Sequence, residues 1–476
     1  MTRILTPVSF WKPIGPFISF ISKYTTTTSN EDIHLPYLTD GLYSGTIDWG
    51  DGNTSDNSYA NRIHTYVSSG THTITITGQI EGYNNLVGGD GTSASKLVEI
   101  TQWGSLNCSI PLVNYGEAYA FAGCSNLILD NVTDTLNITG IYLDGMFDGC
   151  TSLVTCPYMN QWNVSSVESM EGMFYGCSDF DQSLSGWNTS SVTNMRFMFY
   201  GCSDFDQSLS GWNTYYVTSM RSMFQGCGSF NHSIDSWVTS SVEDMGSMFY
   251  GCSAFNQPLN NWDTSSVTNT GYMFYGCSAF NRPLNNWDVS NVFTFGVGSG
   301  FWEMFKGCSN FNGSLAGWDV GGTFGNILYR MFEGCSAFNQ SLNSWTTTNL
   351  NSTISMFLGC SSFNQPLNNW DVSNVISMEG MFEGCSAFNQ SLNSWTTTNL
   401  NDTNYMFLGC SSFNQPLNNW DVSSVTVMFE MFKNCVVFNR DLSDWCVTNI
   451  PSTPNGFDTN TPAWTLPKPV WGTCPP

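Results

Sequence analysis

Cysteine, histidine and carboxylate are the side chains here that could do chemistry, and their spacing tests each possibility. The chain has 17 cysteines, and thirteen of them fall one per repeat from Cys124 to Cys435. A metal-thiolate site needs Cys or His pairs two to four residues apart, and this ladder has none. Neighbouring members come within reach of a disulfide, but side chains that all point the same way are badly placed for the bond. The expected state is a reduced thiol, buried as a small apolar group. The spacing leaves open whether Cys446 and Cys474, outside the ladder, pair to staple the C-terminal end. The four histidines, His34, His64, His72 and His232, fall in no shared motif. No G-x-S-x-G, H-E-x-x-H or phosphate-binding loop is present. Asp48 and Asp51 of IDWGDG could ligate calcium, yet Asp and Gly are also what a tight turn requires. No pair among the 37 carboxylates is singled out for glycoside hydrolysis. The expectation is a protein without catalysis, cofactor or metal.

What positions the cysteines is a repeat. Most cysteine steps are 25 residues, and the step to Cys308 is 31. A fixed period of this size marks stacked units that bury their apolar faces only against one another. Residues 192–212 read V-x-x-M-x-x-M-F-x-G-C-S-x-F-x-Q-x-L-x-x-W. Val192, Met195, Met198 and Phe199 fit one face of a short helical turn, with Gly201 as its expected C-cap. Leu209 to Trp212 reads as a short strand. Each coil is then one short strand and one short helical turn, stacked at about 4.8 Å into a solenoid. Trp162, Trp187, Trp212 and their successors to Trp445 become a ladder, as do the phenylalanines from Phe180 to Phe438. Each buried aromatic contributes about 4–6 kcal/mol gross. The asparagines after the Phe, such as Asn256, Asn281 and Asn364, are expected to form an amide ladder that satisfies turn backbone.

Composition narrows the partners. Only 11% of residues are charged, yet the net charge is -24, so nucleic acid and anionic membranes are disfavoured. No stretch reaches the roughly 18–20 apolar residues needed to cross a bilayer. The start, MTRILTPVSFWKPIGPFISFISKY, is interrupted by Pro7, Lys12, Pro13 and Pro16, which suggests a short arm rather than a signal peptide. Residues 15–100 alternate apolar and polar side chains between Gly/Asp turns, as a small antiparallel β-sandwich does.

IDWGDG, HTY (64–66) and GTHTITITG (70–78) together resemble the PKD-type, immunoglobulin-like module. The M-F-x-G-C-S-x-F-N-Q-x-L-x-x-W-D-x-S-x-V repeat resembles the BspA-like leucine-rich repeat surface proteins, in which the two parts occur in this order. The resemblance implies a β-sandwich followed by a right-handed leucine-rich-repeat-type solenoid that works in adhesion or recognition. The expected organisation is an arm at 1–15, a PKD-like sandwich at 16–100, a cap with irregular coils at 101–160, regular repeats at 161–446 and a C-terminal cap at 447–476. Relatives usually carry a secretion signal or anchor, and similar repeats occur in virus and phage genomes. The leading expectation is therefore a virion or phage appendage, displayed on the particle surface and contacting another protein or a glycan. A secreted or cell-surface adhesin of a bacterium or protist is the alternative, and a carbohydrate-binding or carbohydrate-active protein a third.

Two features are candidate contact sites. Tyr175, Tyr200, Tyr250 and Tyr275 occupy a slot between Phe and Gly that holds Gln225, Lys306, Glu333 or Leu358 elsewhere, so packing does not dictate it. The insertion FTFGVGSGFWE (293–303) breaks the period and offers Phe301 and Trp302. The nearly identical units 334–375 and 384–425 differ at Ser352/Asp402, Ile354/Asn404, Ser355/Tyr405 and Asn374/Ser424. Core positions are kept while neighbouring surface positions change.

Overall fold

The computed structural model describes residues 18–107, 118–293, 296–321 and 326–476. The expected arm at 1–15 lies outside the described residues.

The N-terminal region is built of strands, as alternation in stretches such as GTHTITIT requires. The first are β1 (Phe20–Thr26), β2 (Glu31–His34), β3 (Tyr37–Tyr43), β4 (Thr46–Asp48) and β5 (Thr54–Asp56). They are followed by β6 (Ile63–Tyr66), β7 (Gly70–Thr77), β8 (Ile80–Tyr83), β9 (Leu97–Gln102) and β10 (Leu106–Asn107). One sheet runs β5-β4-β7-β1-β9, a second β10-β8-β3, and β2 pairs with β6. Ile74 and Ile76 from β7, Ile47 from β4 and Phe20 and Tyr24 from β1 are buried in its core. Buried polar tips find partners there: the Tyr24 and Tyr83 hydroxyls lie 2.8 Å apart, and the Tyr37 hydroxyl donates to Asn57 Oδ1 at 2.8 Å.

The repeats depart from the expected strand and helical turn. Among their described residues there is no α-helix, and the one 3₁₀ turn is Met159–Gln161. The spacing of three that reads as a helix face is instead a chain of hydrogen-bonded turns. In one coil, Met198 N donates to Met195 O, Cys202 N to Phe199 O, and Phe205 N to Cys202 O. Trp212 N donates to Leu209 O, and Val217 N to Thr214 O. The apolar residues open and close the turns, so they face the core every third residue without the 3.6-residue period of a helix. The expected strand at Leu209–Trp212 is one of these turns. The parallel bridge falls elsewhere, on Ser169, Asn194, Ser219, Asp244 and Asn269, one residue before the first Met of the next turn or, at Asn269, before Thr270. In the later repeats, β11 (Asn326–Ile327) pairs in parallel with β12 (Leu350–Ser352).

Backbone groups not used within a turn bond along the stack. Met195, Phe197, Phe199 and Gly201 donate to the carbonyls of Ser219, Arg221, Met223 and Gln225 in the following coil, at 2.6–3.2 Å. This alternation of local and inter-coil bonds goes with positive φ at two places per coil. One is the glycine before Cys, from Gly123 to Gly409, at φ of 70–80°. A Cβ on Gly226 would lie 3.4 Å from the Gly201 Cα, so these backbones also stack closely. The other is the second variable residue between the two core positions, Gly172 (φ 59°), Phe197 (56°), Ser222 (54°), Tyr272 (58°) and Tyr405 (56°) among others.

Side-chain ladders satisfy much of what remains. Each Trp of the ladder from Trp187 to Trp445 donates its indole N–H to a carbonyl one coil back, that of the residue opening the equivalent turn, as from Trp212 to Leu184 at 3.0 Å. Asn side chains accept backbone N–H groups one coil on, as Asn339 Oδ1 does from Asn364 N at 2.9 Å, which is the amide ladder expected. At the N-terminal end the stack runs into β9: Glu99 bridges Ile128 in parallel, and the Trp103 ring packs 5.6 Å from Phe121 and 5.9 Å from Trp162. At the other end the rings turn edge-on. Trp464 stands at 77° to Phe432 and 81° to Phe438, and Cys446 is bonded to Cys474.

The left-handed glycines yield a stability prediction. Gly384→Ala is expected to cost about 1–2 kcal/mol, the strain of a Cβ at positive φ. Gly384→Asn should cost less than half as much, because Asn434 takes φ 63° at the equivalent place. Urea denaturation of the two variants compares them directly.

Candidate functional site

The groups with chemical reach are mostly taken up by structure. Fourteen cysteines are free and buried, and Cys108 lies outside the described residues. In the ladder each thiol from Cys150 on also donates to the carbonyl of a Phe one coil back, as from Cys202 Sγ to Phe174 O at 3.0 Å. The thiol is thus a donor as well as an apolar filler, which its spacing alone did not reveal. Burial pushes the thiols up, Cys156 and Cys435 to about 12 and others further. Cys202 and Cys227 are among those driven well above the usual thiol range, because a thiolate there would have no water around it.

In the N-terminal region, Asp48 Oδ1 accepts from Gly50 N at 2.9 Å, closing its turn. Asp51 accepts from Asn53 N and Asn53 Nδ2 and pairs with His64 Nε2 at 2.8 Å. Both calcium candidates therefore commit carboxylate oxygens to the turn. Among the described residues, no group of three or more His, Cys, Asp or Glu is placed to hold a metal ion.

What the structure gathers is one variable face. Between the two core positions of each coil lie two residues that packing does not fix, and a third lies just before the glycine. Arg196, Phe197 and Tyr200 are such a set, as are Gly271, Tyr272 and Tyr275, and Trp302, Glu303 and Lys306. These positions stack from coil to coil, so their side chains share one side of the repeat array. Five of the seven Lys and Arg residues in 161–446 sit there: Arg196, Arg221, Lys306, Arg330 and Lys433.

The four candidate tyrosines lie on this face, as two pairs rather than one stripe. Tyr175 stacks on Tyr200 and Tyr250 on Tyr275, each at 4.4 Å between ring centres, with Gln225 between the pairs. Phe197 and Tyr272 stand edge-on to them. The insertion splits. Phe301 is fully buried, because it takes the core position that Met245 takes in an earlier coil, and so is not a contact residue. Trp302 is half-buried on the variable face, its ring centre 4.2 Å from that of Tyr329. The loop itself folds back, Gly300 O accepting from Thr270 N at 3.1 Å, while residues 294–295 lie outside the described residues. Phe197, Tyr272 and Tyr329 were missed at the sequence level. The signal that could have found them is the Met-x-x-Met gap, where Ser355/Tyr405 and Ile354/Asn404 already differ between near-identical units.

Charge divides the face along its length. In the middle, Lys306 lies 3.3 Å from both Glu303 and Glu333, and 5.5 Å from the Tyr275 ring centre. Further on, burial and then neighbouring carboxylates raise Glu379 and Glu383, and burial raises Asp402. Towards the N-terminal end, a cavity of about 210 Å³ is lined by Tyr119, Gly145, Asp148, Glu171, Gly172, Tyr175 and Phe197.

A stack of turn-built coils with constant ladders inside and one variable face outside defines a repeat protein. The chain belongs to the family described as Mycoplasma protein of unknown function, DUF285, whose model matches residues 118–233, 207–301, 299–390 and 365–464. No curated protein and no solved structure matches the chain.

Two measurements probe these groups. A thiol reagent at pH 8 should label almost none of the fourteen buried cysteines in the native protein and all of them in denaturant. The raised carboxylates bind protons more tightly folded than unfolded, so they favour the fold at low pH, and that contribution is lost as pH rises through their folded values. Glu379→Gln with Glu383→Gln should then raise the thermal midpoint at pH 7 by about 1–2 °C and leave it unchanged near pH 3.

Proposed function

We propose that this chain is a non-enzymatic recognition protein displayed on the outside of a cell or particle, and that the variable face is its binding surface. One observation carries the reading: in the Met-x-x-Met gap and before the glycine, side chains vary in size, charge and aromaticity from coil to coil while the ladders beneath are kept. A catalytic site needs one fixed constellation of groups, whereas a binding surface tolerates exchange of residues coil by coil. Partly exposed tyrosines with an arginine in the same coil, as with Tyr200 and Arg196, are also the residue types enriched in protein-binding patches.

The inter-coil bonding supports a leucine-rich-repeat-type solenoid, and the sheets around Trp49 support a PKD-type module, the pairing expected of BspA-like surface proteins. The family's description as a Mycoplasma protein favours a cell as the carrier, with a virion or phage appendage as the second setting.

Membrane-impermeant biotinylation of intact cells and purified particles tests the display. Labelling before lysis, on one or the other, is expected, and recovery only from the lysed interior would overturn it. Replacing Tyr200, Tyr250 and Tyr275 together by Ser should weaken attachment of the purified protein to its target surface at least tenfold, with the loss of two ring stacks lowering its thermal midpoint by only a few °C.

A further inference from the structure

The cavity at the N-terminal end of the variable face has a feature that the rest of the face lacks. In most later coils the left-handed position carries a side chain, as at Phe197, Ser222, Ser247 and Tyr272. At Gly145 and Gly172 it carries none. Gly145 has no choice, since a Cβ there would run into the Tyr119 ring. Gly172 is different: the nearest atom to an added Cβ is the Tyr175 Cβ at 3.7 Å. Glycines in two consecutive coils therefore leave a slot with Tyr119 at one end and Phe197 at the other.

Two carboxylates line this slot. Among the described residues neither Asp148 nor Glu171 has an ion-pair partner. Glu171 Oε2 accepts from Asn194 Nδ2 at 2.7 Å, and Asp148 is half-buried. Burial raises the Asp148 carboxyl, as it would any carboxylate without a cation beside it. The local basic group, Arg196, lies 5.4 Å from the Phe197 ring centre and does not pair with either acid.

The same chain shows how such a set is completed. The same variable positions recur around Lys306, and there an ammonium lies near the Tyr275 ring while 3.3 Å from two glutamates. The slot has the aromatic rings and the two acids without the cation. Ring faces and carboxylates both attract an alkylammonium, and the attraction grows as water is excluded.

We infer that the slot between Tyr119 and Phe197 receives a lysine side chain from a partner protein, held by Asp148 and Glu171 and flanked by Tyr175. This rests on the variable face being a binding surface, and names the chemistry that one part of it recognises.

The test is isothermal titration of the full chain with the peptide Ala-Lys-Ala and its Nε-acetylated form. The free amine is expected to bind at least tenfold more tightly than the acetylated peptide. Asp148→Asn should weaken binding at least tenfold, and Glu243→Gln, an exposed acid outside the face, should change it by less than twofold. Gly172→Phe copies the residue and backbone conformation of Phe197, so the fold accommodates it, and it should abolish binding by filling the slot. Absence of binding, equal losses in Asp148→Asn and Glu243→Gln, or unchanged binding in Gly172→Phe would each overturn the proposal. So would spermidine binding as tightly as the peptide, which would make the slot a site for small cations. Should the tyrosine triple variant lose attachment while these titrations fail, the face remains a binding surface and only the lysine slot is wrong.

Discussion

A coil of this protein cannot satisfy its own backbone. Its turns consume every second amide or so, and the remainder point along the stack, where they meet a carbonyl only if the neighbouring coil presents one at the same place. A buried amide left without a partner costs as much as several good contacts contribute. That requirement holds the coils to one register, so that extra residues, as in the 31-residue step to Cys308, are taken up in loops between the bonded positions. It also explains why the glycine before each cysteine recurs. The alternation of local and inter-coil bonds goes with positive φ there, a conformation that glycine adopts without the strain of a Cβ.

The ladders follow from the same register. Once coils superimpose, like side chains meet like, and each takes over a backbone group the turns leave free. Trp donates to a carbonyl one coil back, Cys to the Phe carbonyl, and Asn accepts an amide from the next coil. Stacked rings such as Phe174 and Phe199, 5.7 Å apart, fill the space between. The ends must break the pattern, and they do so differently. A strand from the N-terminal sheet pairs with the first coil, whereas at the C-terminus Phe457 and Trp464 turn their edges to the last ladder rung. The positions left over, pointing away from turns and ladders, are the ones able to vary, which is why the candidate contacts concentrate on one face.

Much of this was legible beforehand. The period, the Trp, Phe and Cys ladders and the asparagine amide ladder could be read because a stack forces identical environments to recur at identical spacing. The local conformation could not. Val192, Met195 and Met198 are three apart, a spacing that a helix face and a run of turns share, and the difference lies in hydrogen bonds to another coil. Leu209 and Trp212 misled for the same reason. Phe301 looked like an exposed insertion residue because the inserted loop hid its register with Met245, and only the folded chain shows that it fills a core position.

The sequence by itself determined that this protein is a stack of like units with a constant interior, since periodic apolar residues have nowhere else to go. It also marked the tyrosine slot as one that packing does not dictate. Tertiary structure alone decided which variable positions meet. Tyr175 and Tyr200 become a pair, Lys306 finds two glutamates, and Asp148 and Glu171 come to line one cavity without a cation. Apart from the Lys306–Glu303 pair within one turn, each of these contacts joins residues from different coils. Such contacts depend on the inter-coil register and on side-chain direction, and neither is written in the order of residues within one repeat.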